Sequence, residues 1–109
     1  MQSLRLKIYK KGVFISMILN TMTSNKKMLL SEGENFSSAL YVIDKNKGLI
    51  NSKQNGQALL QVLSGDVWFT QGNRKQRLSK EDFLSFDAKK AHSITADERS
   101  RIIMTVIKN

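Results

Sequence analysis

The sequence predicts a small all-β domain, an antiparallel barrel or two-sheet sandwich, on three observations. Short runs alternate apolar and polar residues, the signature of strands with one face buried. Clusters of Gly, Asn, Asp and Ser separate the runs, and since proline is absent every turn must be made by these residues. No stretch holds an apolar stripe at helical spacing over several turns, so long helices are not expected. With 109 residues there is material for a single core, and the chain is read as one domain, 1–109.

The elements follow in chain order. "LRLKIY" (4–9) sets Leu4, Leu6 and Ile8 against Arg5 and Lys7, and "VFISMIL" (13–19) forms a second strand after the break at "KKG". "NTMTSNKK" is a polar loop and "MLL" (28–30) a further short strand, so that 1–30 carries N-terminal strands and 37–107 the main barrel. "SEGEN" turns the chain into "FSSALYVID" (36–44), and "KNKG" turns it again. Next come "QALLQVL" (57–63), "DVWFTQ" (66–71), "KQRLS" (75–79), "FLSF" (83–86), "HSITA" (92–96) and "RIIMTVI" (101–107), rich in β-branched and aromatic residues. Ser64-Gly65 and Gly72-Asn73 supply tight turns between neighbours. "ALLQVL" and "RIIMTVI" are apolar on both faces, which a strand with one wet side does not need. A second copy of the chain is the economical cover, so a homodimer is expected.

Composition excludes several function classes. There is no cysteine, so disulfide scaffolds, thiolate metal sites and cysteine nucleophiles are ruled out, and a reducing, cytoplasmic setting fits. The apolar run "GVFISMIL" after Lys7, Lys10 and Lys11 is too short to span a bilayer and has no small-residue cleavage site behind it, so neither a membrane span nor an export signal is expected. The formal charge of +9 can steer anions toward the surface. Its densest groups, Lys10-Lys11, Lys26-Lys27, Arg74-Lys75-Arg77 and Lys89-Lys90, sit in turns with no aromatic interleaved, so nucleic-acid binding is not the expected role. Trp68 and Thr70 share one strand face while Val67 and Phe69 share the other, and Trp68 is read as packing or dimer interface. Asp82 is expected to cap the turn before "FLSF".

From Gly48 to Ile107, sixty residues, the sequence resembles the small single-domain cupins. The resemblance rests on Val62-Leu63-Ser64-Gly65, on Glu81-Asp82, on Ala91-His92, and on the lead-in "YVIDKNKGLINSKQNGQALL". It implies a jelly-roll barrel and leaves function open, because this fold hosts dioxygenases, isomerases, storage proteins and sugar-sensing domains. It also implies where a metal would sit, on two histidines and a glutamate of a first motif and one histidine of a second. Counting back seven residues from Gly65 places the glutamate position at Ala58 and the histidine positions at Ser52 and Gln54, leaving His92 as the one donor kept. In the second motif Glu81 replaces a glycine, and Asp87 and Ala91 replace prolines, so the turn at Glu81 either does not require a left-handed residue or is distorted.

A transition-metal site needs three or four inward lone pairs from imidazole or carboxylate. Ala58 offers none, and Ser52 and Gln54 are neutral, so no metal, no cofactor and no catalytic residue are expected. Two readings of His92 stand side by side: a histidine satisfied by a neighbour at the start of an inner strand, or one wall of a pocket with Ser52, Gln54 and Gln61. Of these, Gln61 falls on the strand face opposite Ala58. The expected function is a metal-free, non-catalytic domain binding a small polar or anionic molecule, or serving a regulatory or structural role. Its rivals are a metal-dependent cupin isomerase or dioxygenase, and a basic-surface nucleic-acid module.

Overall fold

The computed structural model describes residues 26–108; the strands read at 4–9 and 13–19 lie outside the described residues. Among those described, all regular structure is strand: β1 (Lys26–Glu32), β2 (Phe36–Ile43), β3 (Gly48–Ser52), β4 (Gly56–Ser64), β5 (Asp66–Gln71), β6 (Arg74–Ser79), β7 (Phe83–Asp87), β8 (His92–Ala96) and β9 (Ser100–Lys108). Their pairings are antiparallel and build two sheets, one ordered β1-β2-β9-β4-β7 and the other β3-β8-β5-β6. The all-β antiparallel class read from the pattern, with the jelly-roll arrangement that the resemblance implies, is the architecture observed.

Alternation explains why these residues take this form. In β9 the buried Ile102, Met104 and Val106 alternate with Arg101, Ile103 and Thr105; in β4 the buried Ala58, Leu60 and Val62 alternate with Leu59, Gln61 and Leu63. Val67 and Phe69 of β5 and Ile94 of β8 face them from the smaller sheet, and together they form one core. Fully buried side chains such as Leu60, Phe69, Ile94 and Ile102 each contribute roughly 1.5–3 kcal/mol of transfer free energy. The opposite face of the larger sheet is covered in part by its own neighbours, where Leu30 and Leu40 pack with Met28, Leu63 and Ile103. Leu59, Ile107 and Phe83 on that face remain 39%, 58% and 63% exposed.

Three local readings change. "GLINS" is a strand, β3, that the pattern did not announce: its pairing with β8 shifts between Leu49 and Ser52, and Asn51 takes a φ of 50°, so the two-residue period is broken by a bulge. Ser64-Gly65 is not a hairpin turn, because β4 pairs with β7 and β9 whereas β5 pairs with β6 and β8. It is the crossing from one sheet to the other. Gly65 has a φ of +92°, and a Cβ there would meet the Ser100 hydroxyl and lie 2.7 Å from the Arg99 carbonyl oxygen. Glu81 does take a left-handed conformation, φ 74°, so the turn requires what a glycine gives freely. Asp82 caps that turn as expected, its Oδ2 accepting the Ser79 amide at 2.8 Å.

Two substitutions test this pair with opposite signs. Glu81→Gly removes a left-handed penalty of about 1–2 kcal/mol against an added chain-entropy cost of about 0.5–1 kcal/mol, so denaturant unfolding should show a net gain of roughly 0.5–1 kcal/mol. Gly65→Ala loses about 1–2 kcal/mol from the backbone conformation alone, with the contact against the Arg99 carbonyl adding to it.

Candidate functional site

His92 is the first residue of β8 and is only 2% exposed. Its Nδ1 lies 3.0 Å from the Lys90 carbonyl oxygen, which can only accept, so Nδ1 carries a proton, and in the neutral ring Nε2 is then an acceptor. That Nε2 is buried without a partner. Aromatic rings flank the imidazole: Phe86 meets it edge-on at 4.7 Å between centroids, and Phe69 lies nearly parallel at 6.3 Å.

The other positions of interest divide. Ser52 is the cross-strand partner of His92, so β3 and β8 bring these two together. Two residues on, the Gln54 amide donates to the Ala88 carbonyl at 2.7 Å, which fixes the β3–β4 loop against the end of β7. The Gln54 side-chain oxygen, Oε1, is buried and has no partner. Ala58 is buried in β4 with Phe86 and Val106 as its cross-strand partners. Gln61 is not brought to this cluster: it pairs with Phe83 and Ile103 on the outward face, as the two-residue period of β4 dictates. It lines a separate surface hollow with Leu63 and Phe83.

This arrangement does not fit a bound transition metal. Among the described residues no three His, Asp or Glu side chains come together. At the position where the motif places a carboxylate stands the methyl of Ala58, paired with the phenyl ring of Phe86, and that ring also abuts His92. One imidazole beside two phenyl rings lacks the donors that such an ion exchanges for its water.

Among the described residues, a larger open space lies elsewhere. A groove of about 400 Å³ runs over the inner face of β1, β2 and β9. Ala39, Tyr41, Met104 and Val106 form its apolar floor, Gln54 and Asn55 of the β3–β4 loop wall one side, and Lys27, Glu32, Ser37 and Lys108 supply further polar groups. The Lys27 Nζ stands 5.8 Å from the centre of the Tyr41 ring. Of the four residues read as one pocket, only Gln54 lines this groove; Ser52 and His92 sit together but outside its lining, and Gln61 is remote from it. Tyr41, Lys27 and Lys108 were missed. The face of Tyr41 was legible, since Ser37, Ala39 and Tyr41 alternate on β2, but which β9 and β1 residues lie beside them depends on strand order.

Charges of both signs surround this end: Lys53, Arg74, Lys89, Lys90 and Lys108 stand on its loops and strand ends together with Glu32, Glu34 and Asp87.

No protein-family model matches the sequence, and no curated protein matches it significantly. Solved structures do. A cupin superfamily protein of Desulfitobacterium hafniense is similar with a TM-score of 0.75 at 21% identity, over 80% of each chain. A cupin 2 conserved barrel domain protein of Leptotrichia buccalis is similar with a TM-score of 0.78 at 21% identity, over 87% of this chain and 46% of that one. KdgF of a Halomonas species is similar with a TM-score of 0.70 at 15% identity, over 79% and 82%. Among the described residues, no helix is long and apolar enough to cross a membrane.

The donor set makes a thermal prediction. After dialysis against chelator, equimolar zinc, nickel, manganese or ferrous ion should leave the melting temperature unchanged. A site holding its ion at a hundredth of the free concentration would add about 2.7 kcal/mol, a rise of several degrees. His92→Leu should fold and differ in stability by less than about 1.5 kcal/mol, because it trades one hydrogen bond for relief of a buried, unpaired nitrogen.

Proposed function

We propose that this chain, which has the cupin fold, is a metal-independent, non-catalytic binding module for a small anionic molecule that also carries hydroxyl or amine donors. The observation that carries this reading is that Gln54, a residue of the groove wall, holds its side-chain Oε1 buried and unpartnered. A buried acceptor without a partner costs about 1–3 kcal/mol, and a turn of the side chain toward a ligand donor in the groove recovers that cost. The loop is held independently, by the Gln54 backbone bond to Ala88, so the residue stands beside the groove before any ligand arrives.

The remaining groups define the chemistry of the ligand. Lys27 and Lys108 line the groove with one acid, Glu32, so its lining has a positive excess. Tyr41, Ala39, Met104 and Val106 give an apolar floor that suits a carbon skeleton rather than a bare ion. The volume of about 400 Å³ matches a molecule of metabolite size. His92 takes no part in contact with the ligand in this reading; it belongs to the packed interior between Phe69 and Phe86.

Titration calorimetry and thermal shift with gluconate and glycerol 3-phosphate, against glucose and glycerol as uncharged controls, test the reading. The charged probes should bind and the neutral ones should be at least roughly tenfold weaker. Gln54→Ala and Lys27→Ala should each weaken the charged probes by about tenfold, the order of one hydrogen bond to a charged partner. Indifference of every probe to both substitutions would overturn the assignment.

A further inference from the structure

We infer that the outward face of β5 and β6 is a docking surface for single-stranded nucleic acid, centred on Trp68, Lys75 and Arg77. In the linear sequence no aromatic stands beside the basic run 74–77. Strand pairing supplies one: Trp68 is the cross-strand partner of Arg77, and Thr70 that of Lys75, so all four share the outward face. The Lys75 ammonium stands 4.8 Å from the centre of the indole, and the Arg77 guanidinium carbon 5.9 Å. The indole N–H donates to Asp97 Oδ2 at 2.9 Å, which fixes the ring beneath its cations.

The cationic strip extends beyond this centre. The Gln71 side-chain amide donates to the Asp87 and Lys90 carbonyls at 2.8 and 3.2 Å, tying the β5–β6 turn to the loop that carries Lys89 and Lys90. Arg74 takes the other face of β6, its guanidinium carbon 5.8 Å from the centre of the Phe69 ring, and is not part of this strip. Ser93 and Thr95 of β8, the partners of Thr70 and Trp68, continue the face with hydroxyls, which donate well to phosphate oxygens. Six residues of β6 span about 20 Å, long enough for several consecutive phosphates. Of the acids nearby, Asp97 is held by Trp68, Asp66 by the Ser79 hydroxyl and Arg77, and Asp87 by the Lys89 amide.

A purely protective role would need less. Among the described residues β6 is an edge strand, and charges on an edge prevent pairing with other sheets. That purpose needs no aromatic clamped beneath two of the charges. Cations stacked on a partly open aromatic are what a flexible strand uses, its phosphates on the cations and a base against the ring or the guanidinium plane. A duplex keeps its base faces stacked inside, so the single strand is the better fit.

The test is fluorescence anisotropy of a labelled fifteen-residue oligothymidylate with the full chain, starting at 50 mM salt. Log affinity should fall against log salt with a slope of about −2 to −3, as expected for three or four phosphate contacts at about −0.7 each. Lys75→Glu with Arg77→Glu should weaken binding at least tenfold and flatten the slope, and Trp68→Phe should weaken it severalfold, both with unchanged melting curves. Lys27→Ala in the groove should leave it unaltered. No binding at 50 mM salt would overturn the inference. So would equal weakening by Lys45→Glu with Lys47→Glu, which would assign the attraction to net charge. Tighter binding of a duplex of equal length, or retention by phosphatidylserine vesicles alone, would also overturn it.

Discussion

The contact between Phe69 and Phe86 is the one on which the arrangement depends. Phe69 belongs to β5 of the smaller sheet and Phe86 to β7 at the edge of the larger, and their ring centroids are 4.6 Å apart. Two sheets joined by short connections must share one interior, and large rings meeting across it fill the space that neither sheet could fill alone. The same pair encloses His92, whose ring makes the third member of the cluster. Closing the sandwich and filling the space around the histidine are therefore one packing event.

That event decides where function resides. With phenyl rings beside the imidazole and a methyl at Ala58, the inner side of His92 is largely apolar, and an open groove lies beside β1, β2 and β9. Gln54 is the hinge between the two regions. It follows Ser52 by two residues and lines the groove, and its side-chain oxygen is one of the buried polar atoms left unanswered. A buried acceptor without a partner is the kind of local inconsistency that a bound partner resolves.

The sequence by itself determined the class of fold, because the two-residue period of β4, β5, β8 and β9 is a property of neighbouring residues and needs no tertiary partner to be read. It also determined the outward position of Gln61, which follows from counting along the chain, and, through the resemblance to cupins, the donor-poor set Ser52, Gln54 and Ala58. It could not reveal β3, whose period is broken at Asn51, nor the crossing at Gly65, since a tight turn looks alike whether its strands pair or part. Nor could it place Tyr41 beside Gln54, or Trp68 beneath Lys75 and Arg77. Those neighbours come from strand order and register, which are chosen by the burial of the whole interior at once. Local pattern sets which face a side chain takes; only the closed sandwich sets what it finds there.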